Sequence, residues 1–196
     1  MTTGLPPCVS SPARWVALLH AVNLGRRRTV PMSDLRALCA DLGFRDVETY
    51  IASGNVLLTD PDARAEAAVQ AHLEAALEAR YGFPVQVTLR APPEWATTLA
   101  ACPPELHAEP VSVAFLGRVP DAQAVAALGA RDVTPERWAV RGRALYQTVP
   151  AGTRSLKVSQ VLLSRVLGVP VTVRNWRTVQ AIAERLGGPL HGELHA

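Results

Sequence analysis

Residues 46–60 read DVETYIASGNVLLTD, and this stretch decides the fold. DVETYIA and NVLLTD are two short strands on either side of Ser53-Gly54-Asn55. Gly54 and Asn55 tolerate the positive φ that a two-residue hairpin turn needs. Upstream, RWVALLH (14–20) is a strand, followed by a polar loop and a helix from Pro31 to about Gly43. Pro31 suits a first turn, and Leu35, Leu38, Cys39 and Leu42 recur at helical spacing. Downstream, 61–80 is an alanine-rich amphipathic helix with Val69, Leu73, Ala76 and Leu77 inward, and PVQVTLR (84–90) is a closing strand. The order is β-α-β-β-α-β.

APPEWATTLAAC reads as a connecting helix ended by Pro103 and Pro104. The same grammar then returns. PVSVAFLG is a strand, DAQAVAALG a helix, and ERWAV with RALYQTV a hairpin around Arg141-Gly142. A helix over 155–167 and the strand PVTVR (170–174) follow, and a last helix over 176–187 carries Val179, Ile182, Ala183 and Leu186. The expectation is an α+β chain of two ferredoxin-like subdomains, 13–90 and 110–187, the second with the C-terminal helix. A flexible arm (1–12), a linker (91–109) and a loose tail (188–196) complete it.

The 196 residues are 48% hydrophobic and carry a net charge of +3. That supports a proper core and excludes global disorder. It permits a basic patch without indicating a tail-driven nucleic-acid binder. Lys157 is the single lysine, which reads as coding bias of a GC-rich genome. Cys8, Cys39 and Cys102 are scattered, with no CxxC or Cys/His spacing, so no metal is expected. No cofactor is expected either. MTTGLPPCVSSP lacks the basic start and apolar run of a signal peptide, and no apolar run approaches the ~20 residues of a membrane span. The expected setting is cytoplasmic, with no membrane partner and no indicated oligomeric state.

Strand directions in a 4-1-3-2 sheet put the loop after the first strand beside the turn between strands two and three. Asn23, Arg26, Arg27 and Arg28 then lie near Ser53, Gly54 and Asn55. The alternatives are a solvated loop over a good turn, or an anion pocket in which guanidinium groups face turn amides. In the second half, PAGTRS (150–155) leads to a helix with Lys157 in its first turn, and the last strand ends at Arg174. Asn175 is a good N-cap for the final helix. Arg154, Lys157, Arg174, Asn175, Trp176, Arg177 and Thr178 therefore form a second candidate site, where two helix dipoles and four cations favour a phosphate. The competing reading packs Trp176 in the core and pairs Arg174 with an acid.

Motifs of established chemistry are absent: no GxSxG, HExxH, Walker-A loop or GxGxxG after a strand. His20 and His107 have no evident acid or nucleophile partner, and the aromatic spacing of an RRM is missing.

With those residues in hand, the chain resembles the bacterial domain-of-unknown-function family 1697 over about residues 14–187. LLHAVNLGRRRTVPMSDLRAL, LGFRDVETYIASGNVLL, LKVSQVLLSRVLG and TVRNWRTV are each similar to one of its motifs, in order. The resemblance implies two ferredoxin-like subdomains and supplies no activity. It carries over Asn23, Gly25, Thr49, Tyr50, Ser53, Gly54, Asn55, Lys157, Arg174, Asn175, Trp176 and Thr178. This sequence departs from it at His20, Ala21, Ala52, Leu156 and Ser164, where the family has Arg, Gly, Gln, Ser and Glu. The expected function is binding of a phosphate-bearing small molecule or nucleotide. An enzyme on phosphorylated or acyl substrates and a nucleic-acid-associated protein are the alternatives.

Overall fold

The structure is a computed structural model that describes residues 11–24, 28–106, 109–150 and 156–187. Its first half runs β1 (Ala13–Leu19), α1 (Met32–Asp41), β2 (Arg45–Tyr50), β3 (Asn55–Asp60), α2 (Glu66–Tyr81) and β4 (Val87–Arg90). The helix α3 (Pro92–Ala100) and a 3-10 turn (Pro104–Leu106) follow. The second half runs β5 (Val111–Leu116), α4 (Ala122–Gly129), β6 (Trp138–Arg141), β7 (Ala144–Thr148), α5 (Gln160–Leu167), β8 (Val171–Asn175) and α6 (Trp176–Arg185). Two four-stranded sheets result, ordered β2-β3-β1-β4 and β6-β7-β5-β8. Every pairing is antiparallel. The fold class is mixed α+β. No described helix is long and apolar enough to cross a membrane.

The period-two alternation of strands sorts the core into three clusters. Ala17, Leu19, Val56, Leu58, Val87 and Leu89 face α1 and α2 on one side of the first sheet. Ala114, Leu116, Leu145 and Val171 face α4 and α5 on one side of the second. The remaining faces share a central cluster, Val16, Leu18 and Leu57 with Val113, Phe115 and Tyr146, into which α3 and α6 also pack. Trp95 of α3 anchors it. The indole is fully buried, stacks on Phe115 at 4.9 Å, and donates Nε1–H to the Val179 carbonyl at 3.1 Å.

Two helices start later than their periodicity predicts. Residues 61–65 are not helical because the buried Asp60 carboxylate accepts from the Asp62 and Arg64 amides and from the Arg64 guanidinium. These bonds offer the backbone an alternative to the helix. In α5, Ser159 is the N-cap, accepting from the Leu162 amide, so the helix begins at Gln160.

Candidate functional site

The connection between β2 and β3 is a four-residue turn over 51–54, not a two-residue hairpin, and Asn55 opens β3. The left-handed residues are Ile51 (φ 49°) and Gly54 (φ 77°), not Asn55. Gly54 is also required by space. A Cβ there would meet Val22 Cγ2 at 2.7 Å and Leu19 Cβ at 2.8 Å. The close approach lets the Leu19 amide donate to the Gly54 carbonyl at 2.8 Å.

The loop after β1 meets this turn. Asn23 donates through Nδ2 to the carbonyls of Val30 (2.9 Å) and Ala52 (2.7 Å), and its Oδ1 accepts from the Val30 amide at 2.8 Å. Those bonds clasp the loop shut and tie it to the turn, so the Asn23 side chain is spent on structure. Arg28 donates to the Pro84 carbonyl and lies over the Phe83 ring at 5.2 Å. Arg26 and Arg27 lie outside the described residues.

Arg174 is not where its expected role requires it. It is 7% exposed, and its side chain crosses to the first sheet instead of facing a helix N-terminus. Alternation explains this: Val171 and Val173 belong to the α4/α5 side, so Thr172 and Arg174 project from the opposite face of β8. Nε donates to Asn55 Oδ1 at 2.6 Å, and Nη1 to Thr172 Oγ1 (2.7 Å) and the Val173 carbonyl (2.9 Å). Nη2 donates to the carbonyls of Leu19 (2.9 Å) and Ser53 (3.1 Å). All five N–H groups of a guanidinium are thus engaged. Asn55 is held in turn, donating to the Tyr50 carbonyl and to Ser53 Oγ, each at 2.9 Å. Burial lowers the Arg174 pKa to about 10, which leaves it charged at neutral pH. Among the described residues none of its partners is a carboxylate.

Lys157 is exposed and the Val158 that follows it packs in the α4/α5 cluster, whereas Arg174 projects from the opposite face of β8. The Glu136 carboxylate accepts from the backbone amides of Lys157 (2.6 Å) and Val158 (2.8 Å). The amides expected to bind an external anion are occupied by the chain's own. Asn175 caps α6 as expected, accepting from the Thr178 amide at 2.8 Å. Thr178 is buried, Trp176 packs half-buried against the central core, and Arg177 is exposed. Arg154 and His107 lie outside the described residues.

A second buried arginine, Arg90, also bridges the sheets. Nη2 donates to the carbonyls of Leu116 (2.6 Å) and Arg143 (2.9 Å), and Nε pairs with Glu94 at 3.2 Å. Arg143 pairs with Glu66 at 2.9 Å and with Glu94 at 3.0 Å. Two guanidinium groups there face two carboxylates. Burial lowers the Arg90 pKa to about 10, and the Glu94 charge opposes that shift.

Each arginine has a cleft near it. One, of about 350 Å³, is lined by Glu94, Arg141, Arg143 and Tyr146 and carries charges of both signs. The other, of about 440 Å³, is lined by His20, Arg28 and Gln86 and by Gln160, Val161 and Ser164 of α5, and among the described residues no acid lines it. His20 is 5% exposed, and its Nε2 is shared with Thr88 Oγ1 at 2.8 Å. Nδ1 is the ring nitrogen left for a ligand. Burial, with the Arg174 charge second, pulls the imidazole down to about 4, so it is neutral at physiological pH.

The model of the family described as "Protein of unknown function (DUF1697)" matches residues 13–146, more than half of the chain. The protein belongs to that family. The segment of this DUF1697 protein that matches holds the Asn23 loop and the Ser53-Gly54-Asn55 turn, and the Lys157 and TVRNWRTV stretches lie beyond it. Among solved structures, the conserved bacterial protein SP0830 from Streptococcus pneumoniae resembles the DUF1697 chain with a TM-score of 0.70 and 22% identity. The match covers 90% of this chain and 99% of that one, and at that identity the likeness speaks for the fold alone. No curated protein matches the chain.

Several residues around Arg174 and His20 in the DUF1697 protein escape a reading by motif. Thr88 and Gln86 belong to no signature and matter through register. His20 had a usable signal. It follows Val16 and Leu18 at strand period, which aims it at the central core. Glu136 had none, because its partners lie more than 20 residues away in the chain.

Proposed function

We propose that the protein binds a phosphate-bearing small molecule in the cleft beside His20. The observation that carries this is the buried, charged Arg174 with no carboxylate partner among the described residues. Carbonyl, hydroxyl and amide oxygens satisfy its hydrogen bonds but leave a full positive charge in a region of low dielectric. A ligand anion supplies the counter-charge. Arg174 acts on it through its field, since its donors are taken, and the direct contacts come from Arg28 and His20 Nδ1 in the cleft. The cleft falls within the roughly 300–1,000 Å³ range of small-molecule sites.

The same reading takes each sheet with its helices as a ferredoxin-like unit, divided in the 91–109 segment, and places the protein in the cytoplasm. Binding is preferred over catalysis on one ground. An imidazole held near 4 is a weak general base at neutral pH, where efficient catalysis asks for a pKa near the working pH.

Inorganic phosphate is the test ligand. At low ionic strength it should raise the melting temperature by a few degrees at ~100 times Kd, and Arg28→Gln should reduce the rise. No rise at any phosphate concentration refutes the reading.

A further inference from the structure

The cleft beside His20 carries more than a phosphate requires. Gln86 enters it from the first sheet's side and Gln160 from the first position of α5, so each half of the molecule contributes one side-chain amide. Neither amide makes a hydrogen bond among the described residues, whereas the other conspicuous amides of the region, Asn23 and Asn55, are fully used. A glutamine amide offers one donor and one acceptor in one plane, the pattern that pairs bidentately with the edge of a nucleobase.

The walls complete the picture. Val161, a large hydrophobic left 68% exposed, lines the same cleft, as do Pro84 and Val171. An exposed valine on a helix is unremarkable alone. Beside two unpaired amides and a cationic end, it provides an apolar surface for the face of a planar ring. The cationic end is Arg28 with His20, in the field of Arg174.

From these lining residues we infer that the ligand is a nucleoside phosphate, its base read by Gln86 and Gln160 against Val161 and its phosphate held by Arg28 with His20. The inference rests on the proposed phosphate binding and adds the base. The competing cleft near Arg90 lacks these elements, because its cations already face Glu94 and Glu66.

Calorimetric titration of the full chain with inorganic phosphate, the four common nucleoside 5′-monophosphates and their nucleosides tests it. At least one nucleotide should bind ten-fold or more tightly than phosphate. Gln86→Leu and Gln160→Leu should each remove most of that advantage while leaving phosphate affinity within two-fold and the melting temperature unchanged. If phosphate binds but no nucleotide exceeds it, the base site is refuted and the anion site stands. If a nucleotide binds tightly and both glutamine variants bind it equally well, the assignment of the amides is overturned. If neither phosphate nor nucleotide binds, both readings fall together.

Discussion

Arg90 and Arg174 are buried to similar degrees and both reach across from one sheet to the other, yet their charges are treated differently. Arg90 pairs with Val16 on β1, whereas Arg174 lies against the Leu19 carbonyl. That is three residues, or ~10 Å, along the same strand. At the Arg90 end, Glu94 and Glu66 balance Arg90 and Arg143. At the Arg174 end every described partner is a neutral oxygen. The first arrangement closes an interface and needs nothing more. The second holds the sheets together and also leaves positive charge beside a cleft without acids. Stability alone does not call for it, since a carboxylate at Thr172 or Asn55 would have neutralised the guanidinium.

The largest expected effect breaks the Arg174 end. Arg174→Met leaves the oxygens of Asn55, Thr172, Leu19 and Ser53 without their donor in a buried site. We expect a loss of about 4 kcal/mol, measured by urea unfolding. This reverses the expectation for an exposed site cation, whose removal would barely move the melting point. A loss below about 1 kcal/mol would show that water takes over the contacts and that Arg174 is no clamp.

Gly54→Ala attacks the same end through the backbone. The added Cβ sits 2.7–2.8 Å from Val22 and Leu19 at a φ of +77°. Overpacking and left-handed strain together should destabilise by about 3 kcal/mol. Gly142→Ala, with φ +56° and open space around its Cβ position, is the control for φ alone and should cost about 1 kcal/mol.

His20 sharpens the comparison through pH. Its imidazole titrates at 6.5 when unfolded and at about 4 when folded. The unfolded chain therefore takes up the proton first, so stability is full above about pH 6.5 and is lost as pH falls toward 4. Between pH 7.5 and pH 5 the loss should be about 2 kcal/mol. His20→Gln should flatten that part of the profile, and an unchanged profile would mean that His20 is solvated or ion-paired.

The smallest effect belongs to the balanced end. Glu94→Gln removes a partly solvated carboxylate from Arg90 and Arg143, and chemical denaturation should register about 1 kcal/mol, discounted for screening. A cost matching that of Arg174→Met would erase the distinction between the two ends.

Much of this arrangement is legible in the sequence, and the part that is not has a physical reason. The eight strands and their antiparallel order follow from alternating apolar runs and from turn residues such as Gly54. The meeting of the Asn23 loop with the 51–54 turn follows from strand direction. The expectation that Arg174 faces a helix N-terminus fails because direction tells which end of a sheet a residue occupies, not which face. That information sits in TVR itself, where Val173 marks the helix side and Thr172 and Arg174 the other. The Glu136 carboxylate on the Lys157 and Val158 amides is a tertiary contact with no local trace. The late starts of α2 and α5 are local by contrast, since the side-chain bonds of Asp60 to the 62–64 segment and of Ser159 as N-cap compete with a helical pattern.

The central claim is that uncompensated charge at Arg174 draws an anion to the neighbouring cleft, and supplying the missing counter-ion tests it. Thr172 Oγ1 already accepts from Arg174 Nη1 at 2.7 Å, so Thr172→Asp places a carboxylate on the guanidinium without changing any residue that lines the cleft. A unit charge ~10 Å from a monoanion is worth roughly 1.5 kcal/mol at an effective dielectric near 20, about ten-fold in affinity. Calorimetric titration of Thr172→Asp with inorganic phosphate should show binding weakened about ten-fold in a protein that remains folded. Phosphate affinity equal to that of the unaltered protein would contradict the account.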